Sequence, residues 1–172
     1  MFTLKRGTAL LALAFALAAS SLAYAPPLDF RLKTTDGGEI SSEMLKGDVV
    51  VLAFGASWLP LSKAQVQGVQ ELADQFADRN VRVYWVSTDS VSPKSKNYAT
   101  DEQLRAFARK NGLKVAVLRD PNGAVFKQTG ADQLPSVVIL DRAGEISGSP
   151  IGGLDPEGNL VQRLSARINK LL

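Results

Sequence analysis

Runs of apolar residues in this chain have the length and composition of buried β-strands. The run at 49–54 is apolar throughout, without the polar alternation of a strand that has one solvent-exposed face, and is typical of a strand covered on both faces. In all there are four such predicted strands. They occupy residues 49–54, 81–86, 115–118 and 136–140. A first short strand is predicted at 29–32, before an Asp-Gly-Gly turn, and a last strand at 145–151.

Between these runs, apolar residues recur at steps of three and four, the spacing that brings them onto one face of a helix. This spacing predicts helices over 60–79 and 101–110, and a shorter helix or turn at 122–128. Asp155-Pro156-Glu157 predicts the start of a final helix, because aspartate caps helix N-termini and proline suits the first turn. Strands interleaved with helices indicate an α/β fold with a sheet layered between helices.

The first 25 residues are predicted to be an export signal. A basic start precedes an apolar run over 7–22, which is the layout of a secretory signal peptide. Ala23-Tyr24-Ala25 has the small residues of a cleavage site, although Pro26 disfavours cleavage directly before it, and cleavage after Ala23 is the alternative. If the leader stays uncleaved, it would anchor the protein and be its only membrane contact. We expect an exported, periplasmic or extracytoplasmic protein with one domain over 26–172.

Composition restricts the chemistry, because the 172 residues include no cysteine and no histidine. An internal disulfide, a thiolate nucleophile, a Cys/His zinc site and a histidine-dependent triad are therefore excluded. No metal or other cofactor is expected. The net charge is +3, and without Lys5 and Arg6 of the leader 18 basic residues stand against 17 acidic ones. This balance offers no clustered basic face for nucleic acid.

Four segments carry a family resemblance: LKTTDGGEISSEMLKGDVVVL at 32–52, VVVLAFGASWLPLSKAQ at 49–65, LRDPNGAVFKQTG at 118–130 and QLPSVVILDRAGEI at 133–146. In this order they resemble the exported thiol-disulfide oxidoreductases of the TlpA/ResA type, in the thioredoxin-like superfamily and related to the AhpC/TSA redoxins. The resemblance implies a thioredoxin-like α/β fold with a central mixed β-sheet flanked by helices.

The redox motif of that family, Trp-Cys-Pro-x-Cys, is only partly present. Trp58 and Pro60 stand where the family has them, whereas Leu59 replaces the first cysteine and Ser62 the second. A comparison with peroxiredoxins also places Ser62 at their cysteine. Leucine is no nucleophile, and a serine hydroxyl titrates too high to act without a base such as histidine. The resemblance therefore implies a degenerate active site with no catalytic residue.

The resemblance also implies a peptide-facing groove between the motif and a loop before a strand. Pro135 resembles the family's cis-proline, and the alternative is an ordinary trans proline at the start of an edge strand. Leu59 would be exposed with its neighbours or would turn inward to fill the space of the missing disulfide. The predicted peptide-binding residues are Trp58, Leu59, Pro60, Leu61, Leu134 and Pro135.

Other polar residues have structural interpretations. Ser62 and Gln65 fit the S-x-x-Q capping box of a helix start, whereas Pro60 indicates the alternative, a helix that has already begun before Ser62. Lys94-Ser95-Lys96 is expected to be a solvated loop. Four acidic residues are expected to cap and face solvent rather than to catalyse: Asp89, Asp101, Glu102 and Asp120.

Three functions remain open from the sequence. The leading hypothesis is a redox-inactive binding or adaptor module in the cell envelope, with a protein or peptide partner. The alternative is a thiol-disulfide oxidoreductase or peroxiredoxin-like antioxidant protein by descent, whose activity depends on a partner. The third is a structural subunit of an envelope assembly.

Overall fold

The computed structural model describes residues 26–153 and 159–172, so the predicted leader at 1–25 lies outside the described residues. The strands of this part are β1 Arg31–Thr34, β2 Glu39–Ser41, β3 Val49–Gly55, β4 Val81–Ser87, β5 Val117–Arg119, β6 Ser136–Leu140 and β7 Ile151–Gly152. Its α-helices are α1 Pro60–Gln75, α2 Asp101–Lys110, α3 Ala124–Gln128 and α4 Leu160–Asn169, and a 3-10 helix spans Ser42–Leu45.

The strands form one mixed sheet in the order β2-β1-β5-β4-β3-β6-β7. The central strands β3, β4 and β5 are parallel, whereas β1, β2, β6 and β7 join the sheet by antiparallel pairs. The parallel pairs require crossovers, and α1 and α2 supply them. The predicted α/β fold with a central mixed sheet is confirmed.

Both faces of the sheet are buried, and β3 shows why its sequence is apolar throughout. Alternate side chains of a strand point to opposite faces. Val49, Val51 and Ala53 enter a core shared with α1, α2 and α4. Val50, Leu52 and Phe54 enter a second core, closed by β1, the 3-10 helix and α3.

Several element boundaries differ from the predicted ones. The helix expected over 60–79 ends at Gln75, because Phe76 leaves the helical conformation with φ −110° and ψ 14°. The first strand lies at 31–34 instead of 29–32.

Among the described residues every helix is too short or too polar to span a bilayer.

The strand expected over 145–151 is reduced to a single bridge between Ile146 and Leu140 and to the two residues of β7. Gly148 turns the chain with φ 64°, and Pro150 has no N–H to donate in a hydrogen bond between strands.

The predicted helix start at 155–157 lies outside the described residues. Helix α4 begins at Leu160, where the side chain of Asn159 accepts a hydrogen bond from the N–H of Gln162 at 2.9 Å.

Replacing Gly68 by alanine tests the close contact between α1 and α4. In an exposed helix this change stabilises by about 1 kcal/mol, but here a Cβ would lie 2.8 Å from the Cβ of Leu160. We expect Gly68→Ala to lower the free energy of unfolding by about 1–3 kcal/mol, the usual cost of overpacking. Urea denaturation measures it, with Gln67→Ala at an exposed position of α1 as control. A Gly68→Ala protein as stable as wild type would contradict this contact.

Candidate functional site

The loop between β3 and α1 presents the degenerate motif at one end of the sheet. The N–H of Leu59 donates to the carbonyl of Ala56 at 3.1 Å and closes a tight turn. Pro60 then begins α1 in the first helical position, where its missing N–H costs nothing. Within the turn Trp58 is 58% exposed, and Pro60 is exposed beside it.

Leu59 and Leu61 are both half-buried. Neither belongs to the partly buried side chains that pack against the two cores in the described part of the chain. Leu59 therefore does not fill the protein interior in place of a disulfide. Trp58, Leu59, Pro60 and Leu61 follow one another along the loop and the first turn of α1, and each keeps part of its surface exposed.

Ser62, at the position of the second cysteine, is completely buried. Its hydroxyl accepts a hydrogen bond from the N–H of Ala56 at 3.2 Å. The predicted capping box is wrong, because α1 has already begun at Pro60 with Leu59 as its N-cap, so Ser62 lies inside the first turn. The serine hydroxyl holds the loop that precedes its own helix.

Gln65 is 2% exposed and joins α1 to three strands. Its side-chain N–H groups donate to the carbonyls of Phe54 and Ser136, both at 3.1 Å. Its side-chain oxygen accepts from the indole N–H of Trp85 at 3.0 Å. This amide is therefore fully used in the interior, which explains a buried glutamine on the apolar face of α1.

The loop before β6 lies next to this network. Ser136 pairs with Phe54 across the sheet, so the preceding Pro135 is placed beside the end of β3. Pro135 is buried, and the Leu134–Pro135 peptide bond is cis. Leu134 instead packs against the second core, on the face opposite α1. Leu134 lies before β6 and is half-buried, so part of this predicted groove side chain is taken up by its contact with the second core.

Asp89 lies at the candidate site in a place that the sequence does not indicate. The sequence predicts a capping or solvent-facing acid, yet Asp89 is 1% exposed and stands two residues after the end of β4. Its carboxylate accepts hydrogen bonds from the N–H and the hydroxyl of Ser57, both at 2.8 Å, and from the hydroxyl of Ser87 at 2.8 Å. These bonds attach the Trp58 loop to the neighbouring strand.

The other acidic residues have structural roles. Asp120 is 3% exposed, and its carboxylate accepts from the N–H groups of Val125 at 3.3 Å and Phe126 at 2.8 Å. Asp101 pairs with the buried Arg119 at 3.2 Å. Glu102, Lys94 and Lys96 are exposed, as expected.

The site has no thiol or imidazole chemistry of its own. Ser62 is enclosed and hydrogen bonded, and the chain has no histidine or cysteine to act as base or nucleophile. An exposed tryptophan beside a proline offers apolar contact area with a fixed shape. The arrangement can therefore hold a partner, but it cannot exchange a disulfide.

Comparison with known proteins agrees with this architecture. The model of the AhpC/TSA family matches residues 24–149. Thioredoxin-like protein YneN of Bacillus subtilis is 30% identical over 72% of this chain and 68% of its own length. Sporulation thiol-disulfide oxidoreductase A of the same organism is 26% identical over 77% of this chain and 76% of its own length.

Among solved structures, the pneumococcal exposed lipoprotein thioredoxin Etrx1 of Streptococcus pneumoniae is similar with a TM-score of 0.61. It is 26% identical, and the match covers 80% of this chain and 98% of that chain. The fold predicted from the motif resemblance, thioredoxin-like, is thereby confirmed.

Gln65→Leu tests whether the buried amide holds the site together. Leucine fills a similar space but leaves the indole N–H of Trp85 without an acceptor and two carbonyls without a donor. Because each unsatisfied buried group costs about 1–3 kcal/mol, we expect a loss of about 2 kcal/mol or more in the free energy of unfolding. Denaturation followed by tryptophan fluorescence measures it. Gln67→Leu, exposed on the same helix, is the matched control, and equal effects of the two changes would refute the role of the amide.

Proposed function

The chain belongs to the AhpC/TSA family, and we propose that within this family it is a redox-inactive thioredoxin-like domain that binds an extended peptide or protein segment in the cell envelope. The observation that carries the proposal is the exposure of Trp58, at 58%, between two residues, Ser57 and Leu59, whose backbone N–H groups are hydrogen bonded. A large apolar side chain that is mostly exposed contributes little to folding. It is available to a partner.

The binding surface proposed here consists of Trp58, Leu59, Pro60 and Leu61, with the loop before Pro135 beside it. Asp132 and Gln133 in that loop are exposed. Extended peptides can add backbone hydrogen bonds to such a segment, while side-chain pockets supply selectivity. Because Leu134 packs into the core, the apolar contacts come mainly from the motif side.

Thiol-disulfide oxidoreduction is the second candidate function, because similar proteins are named for it, among them sporulation thiol-disulfide oxidoreductase A. The chain has no thiol of its own, so turnover would require both the attacking thiol and the disulfide to come from other molecules. The enclosed Ser62 does not favour such a role.

The envelope location is part of the proposal. It rests on the secretory layout of the first 25 residues. A similar protein of known structure, the pneumococcal thioredoxin, is described as an exposed lipoprotein.

Restoring both cysteines tests whether the redox geometry survives without its chemistry. The wild-type protein is expected to reduce no insulin disulfide above the background rate. In Leu59→Cys with Ser62→Cys we expect a disulfide that forms reversibly, and a first thiol whose pKa falls below the free value of about 8.5 because it lies at a helix N-terminus. Thiol titration against pH measures the pKa. Counting free thiols after oxidation and again after reduction measures whether the disulfide forms reversibly. Leu59→Cys alone is the control, and two unperturbed thiols that never pair would show that the geometry has drifted.

Trp58→Ala tests the proposed binding surface. Binding of a library of short unstructured peptides is measured by fluorescence polarisation, and the tightest peptide is compared between variants. We expect at least tenfold weaker binding, since an aromatic anchor contributes about 2 kcal/mol or more and each 1.4 kcal/mol is tenfold. The fold should persist, because Trp58 is mostly exposed.

Three controls accompany Trp58→Ala. Met44→Ala removes another exposed apolar side chain, 65% exposed, next to the opposite end of β3. Lys94→Ala and Lys96→Ala change an exposed loop. All three should bind within about twofold of wild type, far below a 1.4 kcal/mol effect. If Trp58→Ala binds as tightly as they do, the motif surface is not the binding site.

A further inference from the structure

We propose that Asp89 is a positioning residue for the partner-binding surface, fixing the loop that presents Trp58. This inference rests on the proposed function. Asp89 itself touches no partner, because it is 1% exposed. It acts through Ser57, the residue directly before Trp58.

The geometry of the carboxylate supports this role. One oxygen, Oδ2, accepts from the backbone N–H of Ser57, and the other, Oδ1, accepts from the Ser57 hydroxyl. Both distances are 2.8 Å, typical of hydrogen bonds to a charged acceptor. Backbone and side chain of Ser57 are therefore held by one carboxylate that lies just after β4, 32 residues along the chain.

Asp89 is itself fixed from two sides. Its N–H donates to the hydroxyl of Ser87 at 3.1 Å, and that hydroxyl donates back to its carboxylate at 2.8 Å. The guanidinium of Arg119 donates to the backbone carbonyl of Asp89 at 3.2 Å and to that of Ala99 at 3.0 Å. The Arg119 side chain is only 5% exposed, so solvent does not compete with these contacts.

Positioning matters here because a binding surface that must be ordered during association loses affinity. Apart from Asp89, three described hydrogen bonds hold the turn: the N–H of Leu59 donates to the carbonyl of Ala56, the N–H of Ser62 to the carbonyl of Leu59, and the N–H of Ala56 to the hydroxyl of Ser62. None of them involves Ser57 or Trp58. Without the carboxylate, the segment carrying Trp58 would sample more conformations, and the peptide would have to select one of them.

The experiment compares Asp89→Ala with Asp120→Ala in the full domain. Both residues are buried aspartates that accept backbone N–H groups at the end of a strand, but Asp120 holds Val125 and Phe126 instead of Ser57. We expect amide hydrogen exchange at Ser57 to become at least tenfold faster in Asp89→Ala and to stay unchanged in Asp120→Ala. Exchange at Val125 and Phe126 should show the reverse pattern.

Affinity for the tightest peptide of the library is measured on the same proteins. We expect at least tenfold weaker binding by Asp89→Ala and less than twofold change for Asp120→Ala. If Asp89→Ala does not fold, Ser57→Ala decides: it removes only the hydroxyl bond and should give a smaller change in both readouts, in the same direction. Unchanged Ser57 exchange in the variants that fold would overturn the proposal.

The two proposals fail in different ways. If Ser57 exchange is faster and Trp58→Ala weakens binding but Asp89→Ala does not, the positioning role is overturned and the binding surface stands. If neither Trp58→Ala nor Asp89→Ala weakens binding while Ser57 exchange is faster, the proposed function is overturned, and Asp89 remains the residue that fixes the loop.

Discussion

The side-chain amide of Gln65 makes three hydrogen bonds in the interior, and the position of the whole motif follows from them. The amide ties the start of α1 to the ends of β3 and β6 and to Trp85 of β4. The approach is so close that only glycine fits at residue 55. A Cβ there would lie 2.6 Å from the Gln65 oxygen and 2.9 Å from the Ser62 hydroxyl. Apolar burial builds the two cores, but this polar contact sets where the helix begins relative to the sheet.

The two residues at the motif's cysteine positions take different places in this arrangement. Ser62 is buried and accepts from the N–H of Ala56, while Leu59 is half-buried without entering a core. The hydrogen bonds that position the loop and the start of α1 are thus made in a chain that has no thiol. A scaffold of this kind can present Trp58 to a partner with little reorganisation. A surface that is already ordered loses less conformational entropy on binding and therefore binds more tightly.

Two buried aspartates follow the same physical rule at two strand ends. A carboxylate removed from water is tolerated when several N–H or O–H groups donate to it. Asp120 uses those bonds to begin α3, and Asp89 uses them to fix the loop before α1. The first is a helix cap of the kind that the sequence predicts. The second crosses between two elements and ties the candidate site to the sheet.

The sequence by itself determined the order of the main strands and helices, because hydrophobic spacing is local: 136–140 is a strand and 101–110 a helix as predicted. The short strand β2 was not predicted. The sequence also determined the missing redox chemistry, since that depends only on which residues exist. The roles of Gln65 and Asp89 were decided by the tertiary structure. Gln65 meets Ser136 over a separation of 71 residues, and Asp89 meets Ser57 over 32. A local pattern treats such residues as a cap or a solvated acid, because only folding brings their partners within hydrogen-bond distance.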